Sequence, residues 1–285
     1  MKIKSPRQLK DWINNMAKRN NLVANTVLQN FVMERLLERV SVSRYKDNFI
    51  LKGGFLISAM VGLDMRSTMD MDTTIKGVSV SRETIEEILD EILSIDLDDN
   101  LVFKIKSIKS IHDISEYDDY RIVVEAQFFT IRVNMKIDIT TGDEIIPSEI
   151  DYSYKLMFEE RSISIKAYNL DTILAEKIES ILVRNVSNTR ARDFYDVYIL
   201  MTLRRDDLEL SNLRNAIQKK AIERNSLIYI ENHQKYLKDI AESKDIYSIW
   251  DSYKRKFSYA EGIDFADILK LLRTVFESKS GVDML

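Results

Sequence analysis

Asp70 and Asp72 stand two residues apart in Thr68-Met69-Asp70-Met71-Asp72-Thr73-Thr74-Ile75, a β-prone run in which they are the only charges. On a strand, residues i and i+2 point to one face, so both carboxylates project together from a rigid edge. Neighbouring carboxylates repel each other, and a divalent cation removes that repulsion. Mg²⁺ in particular is held by one or two carboxylates together with phosphate oxygens. Upstream, Gly53-Gly54 lets backbone N–H groups approach a phosphate closely. These residue types suit a metal-dependent site for a nucleoside triphosphate.

Three further clusters carry usable chemistry. In Asn134-Met135-Lys136-Ile137-Asp138-Ile139, strand alternation puts Lys136 and Asp138 on one face. If this strand lies beside the first, Asp138 becomes a third carboxylate. Three carboxylates around two divalent ions suit in-line transfer of a nucleotidyl group. In Asp171–Arg184, Ile173, Leu174, Ile178, Ile181 and Leu182 form the apolar stripe of a helix, and Lys177 and Arg184, two turns apart, share a face. Such a pair fits a triphosphate, lysine as a point charge and arginine as a fork. Finally, Arg190-Ala191-Arg192-Asp193-Phe194-Tyr195-Asp196 sets Asp193 and Asp196 within one turn of two arginines.

The elements that position these clusters are readable. Ser5-Pro6 is an N-cap and first-turn pair opening a helix to about residue 19. A second, amphipathic helix is expected from about Asn25 to Val40. Asn48–Leu51 reads as a short buried strand ending at the Gly-Gly turn, followed by a short helix, a loop and the Asp70/Asp72 strand. Ser81 caps another helix through Ile92. Leu101–Ile111, Tyr120–Phe128 and Thr130–Ile139 are β-branched and alternating, and Ser162–Ile165 is a last small strand. Helices then follow over about 171–185, 190–203, 206–223, 231–241, 244–256 and 263–277. The division is an α/β domain over 1–165 and a helical domain over 166–285.

Composition bounds the function classes. Charged residues are 31% and hydrophobic ones 45%, as in a folded soluble chain. There is no Cys, which excludes disulfides and thiolate metal sites and fits a reducing cytoplasm. The two His residues, His112 and His233, are far apart, which argues against a zinc cluster or a Ser–His triad. No apolar run after Met1 reads as a signal peptide, and none approaches membrane-spanning length. The net charge is −4; residues 166–285 hold 20 Lys/Arg and 19 Asp/Glu, so the negative excess falls in the first half.

With all four clusters in order between roughly Leu51 and Leu200, the chain resembles the AbiEii/AbiGii-type toxin family, nucleotidyltransferases of abortive-infection and type IV toxin–antitoxin systems. The family's motifs are a Gly-Gly turn leading to Arg-x-Ser/Thr-x-Asp-x-Asp, a Lys-x-Asp strand, an Ala-Glu-Lys helix ending in Arg, and Arg-x-Lys/Arg-Asp-hydrophobic-hydrophobic-Asp. They stand here as Gly53-Gly54 with Arg66–Asp72, Lys136-Ile137-Asp138, Ala175-Glu176-Lys177 with Arg184, and Arg190–Asp196. Arg192 replaces the commoner Lys, and the helices after residue 205 carry no family motif.

The resemblance implies an α+β fold, a nucleotidyltransferase-like mixed sheet with flanking helices and a C-terminal helical bundle that brings Lys177 and Asp193 to the cleft. It implies Mg²⁺, or Mn²⁺ in its place, at Asp70, Asp72 and Asp138. Gly53, Gly54, Arg66, Thr68, Lys136, Arg184 and Arg190 would serve the nucleotide. Lys177 would engage the triphosphate, and Asp193 would orient Lys177 or the acceptor. Thr68 is where some relatives are phosphorylated by a partner kinase. The implied reaction moves a nucleotide from an NTP to RNA, above all the tRNA acceptor end, blocking translation. A cognate antitoxin is implied too, which need not touch the toxin.

Each cluster also has a plain structural reading. Asp70/Asp72 suits a solvated strand edge, Lys177/Arg184 a solvated helix face, and Asp193/Asp196 ion pairs with Arg190 and Arg192. Lys219-Lys220, and Lys254-Arg255-Lys256 flanked by Tyr253 and Phe257, read as solvated helix ends or as RNA contacts. Transfer to a protein or small molecule, and NTP binding without turnover, remain alternatives; a basic surface around the carboxylates would favour RNA.

Overall fold

The computed structural model describes residues 3–78, 80–111 and 119–277. His112 lies outside them. The chain forms two compact units. The first comprises residues up to Asp143 with Glu149–Tyr168, and the second Glu144–Ser148 with the chain from Asn169 onward. The division thus falls at Tyr168/Asn169, and a five-residue excursion belongs to the helical unit.

In the first unit, α1 (Pro6–Arg19) starts where the Ser5 hydroxyl accepts from the Gln8 N–H, and it buries Leu9, Ile13 and Ala17, one turn apart. Next, α2 (Ala24–Val42) is buried along most of its length rather than on one face, Glu34, Arg35, Glu38 and Arg39 included. Arg35, Glu38 and Arg39 offset much of the desolvation penalty by pairing. Arg39 makes a two-pronged bond to Asp99 (2.9 and 2.8 Å), and Arg35 pairs with Glu38 at 2.6 Å.

Among the described residues the strands are β1 (Phe49–Lys52), β2 (Asp70–Ile75), β3 (Leu101–Ile111), β4 (Asp119–Phe128), β5 (Ile131–Thr141), β6 (Ile150–Lys155) and β7 (Ser162–Ala167). They form one mixed sheet in the order β3-β4-β5-β2-β1-β7-β6. β2 runs parallel to β5 and antiparallel to β1, and β1 runs parallel to β7. Between β1 and β2 lies α3 (Gly53–Val61); α4 (Arg82–Leu93) follows β2, capped by Ser81. Leu36, Leu37 and Val40 of α2 and Leu89 of α4 meet Leu51, Met71 and Ile137 on one face of the sheet. Each such side chain contributes roughly 2 kcal/mol by leaving water. This packing turns the intervening positions, Asp70, Asp72 and Asp138, to the opposite face.

In the second unit, α5 (Leu170–Arg184) and α6 (Ala191–Leu203) precede α7 (Leu210–Glu223), α8 (Leu227–Glu231), α9 (His233–Glu242), α10 (Lys244–Lys256) and α11 (Phe265–Phe276). Asn169 caps α5 by accepting from Thr172 N–H (2.8 Å), while its amide donates to the carbonyls of Ile146 (2.9 Å) and Ser148 (2.7 Å). That cap fastens the 144–148 excursion to the helices. Lys220, expected at a solvated helix end, is instead fully buried: it donates to the Glu144 carbonyl at 3.0 Å and pairs with Glu223 at 2.7 Å.

Candidate active site

Cross-strand register brings the carboxylates of the first unit together. Asp72 is the direct partner of Asp138 across the parallel β2–β5 pair, and Asp70 that of Lys136. The antiparallel pairs add Lys52 opposite Asp72 and Arg121 opposite Asp138. Directly paired residues share a face, so Arg121, Asp138, Asp72 and Lys52 form one row, about 4.8 Å per strand.

Arg121 binds Asp138 with both prongs, Nε to Oδ1 at 2.8 Å and Nη2 to Oδ2 at 2.7 Å. These bonds, the Asp138 charge and, at longer range, Asp70 and Asp72 all hold the guanidinium pKa above its ordinary value. Three carboxylates therefore act on one cation. Lys52 caps the row's other end, its Nζ bonded to Thr140 Oγ1 at 2.6 Å and to Asp143.

The Gly-Gly turn presses on this row. Gly53 has φ of +67°, in the region glycine favours, and a methyl group placed on it would sit 2.1 Å from Asp72 Oδ2. The Asp72 carboxylate thus lies against the first residue of α3, where the helix dipole favours negative charge. A methyl group on Gly54 would meet Arg66 Nη2 at 3.0 Å and Thr68 Oγ1 at 3.1 Å. Arg66 (1% exposed) and Thr68 (6%) pack under the turn, and Arg66 also donates to the Ser67 carbonyl at 2.6 Å.

From α2, Asn30 donates to the Thr68 carbonyl (3.0 Å) and Gln29 to those of Met69 (3.4 Å) and Asn134 (3.0 Å). These two amides tie the loop before Asp70 to the strand bearing Asp138.

Carboxylate oxygens are the donor type that a hard divalent ion takes. Asp70, Asp72 and Asp138 share one face of adjoining strands, and the missing side chain of Gly53 lets the Asp72 carboxylate lie against the turn. No three acidic or imidazole side chains among the described residues form a metal cage by themselves, and both Asp138 oxygens are bonded to Arg121. Two carboxylates completed by substrate phosphates are the usual Mg²⁺ arrangement.

The second unit holds the other motif residues. Lys177 on α5 pairs with Asp193 at 2.7 Å and Asp196 at 3.1 Å, both on α6. Asp193 and Asp196 are buried, 5% and 0% exposed, and their carboxylates hold the ammonium in place. Glu176, beside Lys177 in the motif, binds Arg224 at 3.1 Å and joins α5 to the chain after α7. Arg184 and Arg190 are exposed; Arg184 Nε donates to Ser180 at 3.1 Å. The residues beside Lys254-Arg255-Lys256 are not free stacking platforms: Tyr253 is 8% exposed and packs on Trp250 and Phe257. His233 stacks on Phe276 at 4.2 Å.

Arg121, Lys52, Gln29 and Asn30 escaped the sequence reading. Arg121 was within reach, because a two-residue turn at Phe129-Thr130 pairs Phe128 with Ile131 and therefore Arg121 with Asp138. That turn carries none of the Gly or Asn signals that usually mark one.

Comparison with known proteins gives the same direction. A family model described as "Nucleotidyl transferase AbiEii toxin, Type IV TA system" matches residues 35–271. No curated protein matches the chain. Among solved structures, a Helicobacter pylori protein provisionally assigned as a nucleotidyltransferase is 14% identical, covering 89% of this chain and 94% of its own, with a TM-score of 0.48. JHP933 from Helicobacter pylori is 12% identical over 85% of this chain and 86% of its own, TM-score 0.45. An antigenic nucleotidyltransferase-like protein from Paracoccidioides brasiliensis is 14% identical over 68% and 90%, TM-score 0.38. No helix among the described residues is long and apolar enough to cross a membrane. On the family match, which spans most of its length, the chain belongs to the AbiEii nucleotidyl transferase toxin family of type IV toxin–antitoxin systems.

Proposed function

We propose that this chain transfers a nucleotide from an NTP to RNA, the tRNA acceptor end foremost, and so arrests translation and growth during phage infection. The observation that carries the reading is the pairing of Asp72 with Asp138 beside Asp70, set against the Gly53-Gly54 turn.

Asp70 and Asp72 would hold Mg²⁺ or Mn²⁺, with Asp138 as the neighbouring third charge shared with Arg121. An ion there would neutralise triphosphate oxygens and polarise the phosphorus that is attacked. The N–H groups at the start of α3 offer phosphate donors, and exposed Lys136, paired with Asp70 in register, adds a cation. Arg66, packed under Gly54, would shape that turn. Lys177, held by Asp193 and Asp196, would neutralise the triphosphate, with Arg184 and Arg190 as further phosphate contacts. A cognate antitoxin follows from the family.

The test incubates the purified chain with Mg²⁺, total tRNA and each labelled NTP in turn, beside Asp70→Asn/Asp72→Asn. Label on tRNA with the parent alone, and a loss of at least about a hundredfold in the variant, is expected. NTP binding without label from any NTP would overturn the RNA reading.

A further inference from the structure

The outer part of the sheet, β3–β4–β5, buries one face and leaves the other open. Leu101, Phe103, Ile122, Val124, Met135 and Ile137 point inward, and the residues between them are exposed or half-buried. That open face is strongly basic although the chain is net negative. By register it carries Lys104, Lys106, Lys109, Arg121, Arg132 and Lys136 against three carboxylates, Asp119, Glu125 and Asp138.

Its charges are ordered. Lys109 on the edge strand pairs directly with Arg121, Arg121 with Asp138, and Asp138 with Asp72. One row therefore leads from edge lysine to the candidate metal carboxylates over three strand spacings, about 14 Å. A shift in register between Ile105 and Ser107 adds an extra residue there, and Lys106 reaches across the open face to Glu125 at 3.9 Å. Lys106 and Arg121 keep about half their side chains in water, 48% and 49% exposed.

Lys104 stands opposite Glu125, but one cross-strand pair in this arrangement works against sheet stability. Like charges directly opposite, as at Lys109 and Arg121, are destabilising. A bound polyanion relieves the repulsion. Lysine on an edge strand also discourages sheet-to-sheet pairing, but that purpose does not require the row to continue inward to Arg121 and the carboxylates.

We propose that the open face of β3–β4–β5 is the track for the phosphate backbone of the RNA acceptor, Lys104, Lys106 and Lys109 gripping phosphates behind the end that reaches Asp70 and Asp72. The inference rests on the reading that the acceptor is RNA. It assigns the edge strand to substrate grip, distinct from the residues that hold the NTP.

The experiment measures tRNA affinity against salt, and steady-state labelling, for the parent and for Lys104→Gln/Lys106→Gln/Lys109→Gln. A control, Lys10→Gln/Lys18→Gln/Lys46→Gln, removes the same charge from other exposed positions of the same unit. Each lost phosphate contact lowers the slope of log affinity on log salt by roughly 0.7–0.9. The edge-strand variant is expected to lose about two units of slope and about a hundredfold in affinity at ~0.1 M salt. The loss should lie in KM for RNA rather than in kcat. The control should keep the parent slope, and Lys104→Arg/Lys106→Arg/Lys109→Arg should restore it. If the parent labels tRNA while the edge-strand variant keeps the parent's slope and KM, the track is wrong and RNA transfer stands. Equal loss in the control overturns the track as well. A parent that labels no RNA fails the underlying reading and takes the track with it.

Discussion

Gly53 and Asp72 are in contact across the strand-to-helix turn: a methyl group on Gly53 would sit 2.1 Å from the Asp72 carboxylate. Gly53→Ala must therefore displace a candidate metal ligand and hold a non-glycine residue at φ of +67°. The backbone conformation alone costs about 1–3 kcal/mol. Urea denaturation should show at least that loss, and nucleotide binding should fall with it. Gly54→Ala, whose neighbours begin at 3.0 Å, should be milder. Equal stability of Gly53→Ala and the parent would contradict the close approach.

Removing Lys177 leaves Asp193 and the fully buried Asp196 facing each other without their cation. Lys177→Met should lower stability by about 3 kcal/mol, the usual cost of breaking a buried pair from one side. Adding Asp196→Asn should recover much of the stability but none of the transfer. Recovery of both would make Lys177 purely architectural.

Glu34 on α2 is 2% exposed, and burial pushes its carboxyl from 4.5 up to about 7 against the opposing pull of Arg35 and the Met157 N–H. The folded chain keeps this proton between about pH 4.5 and 7, where the unfolded chain releases it. Stability therefore falls as pH rises through that window, by up to about 3 kcal/mol. Glu34→Gln removes the titration. Denaturation at intervals across the window should show the variant gaining on the parent as pH rises; parallel curves would contradict this.

The elements that carry the motifs were legible because local rules agree with the fold. Ser5-Pro6 and Ser81 open α1 and α4 where turn chemistry places them. Alternation at Lys136 and Asp138 gave their shared face correctly. What stayed hidden depends on partners distant in sequence. The polar side of α2 reads as solvated until Asp99 is seen to meet Arg39, 60 residues away. Lys220 reads as surface charge until the 144–148 excursion gives it a carbonyl. Short α8 has too few turns to show periodicity.

Asp72 and Asp138 are separated by 65 intervening residues, yet they are parallel cross-strand partners. Parallel pairing cannot nucleate from a hairpin, and its loop must close before any contact rewards it. During synthesis, then, a ribosome exposes Asp70 and Asp72 well before their third partner, and β1 waits longer still for β7. The constellation is a late product of folding, so a chain cut short before β5 carries two of its three acids and lacks the strand that aligns them.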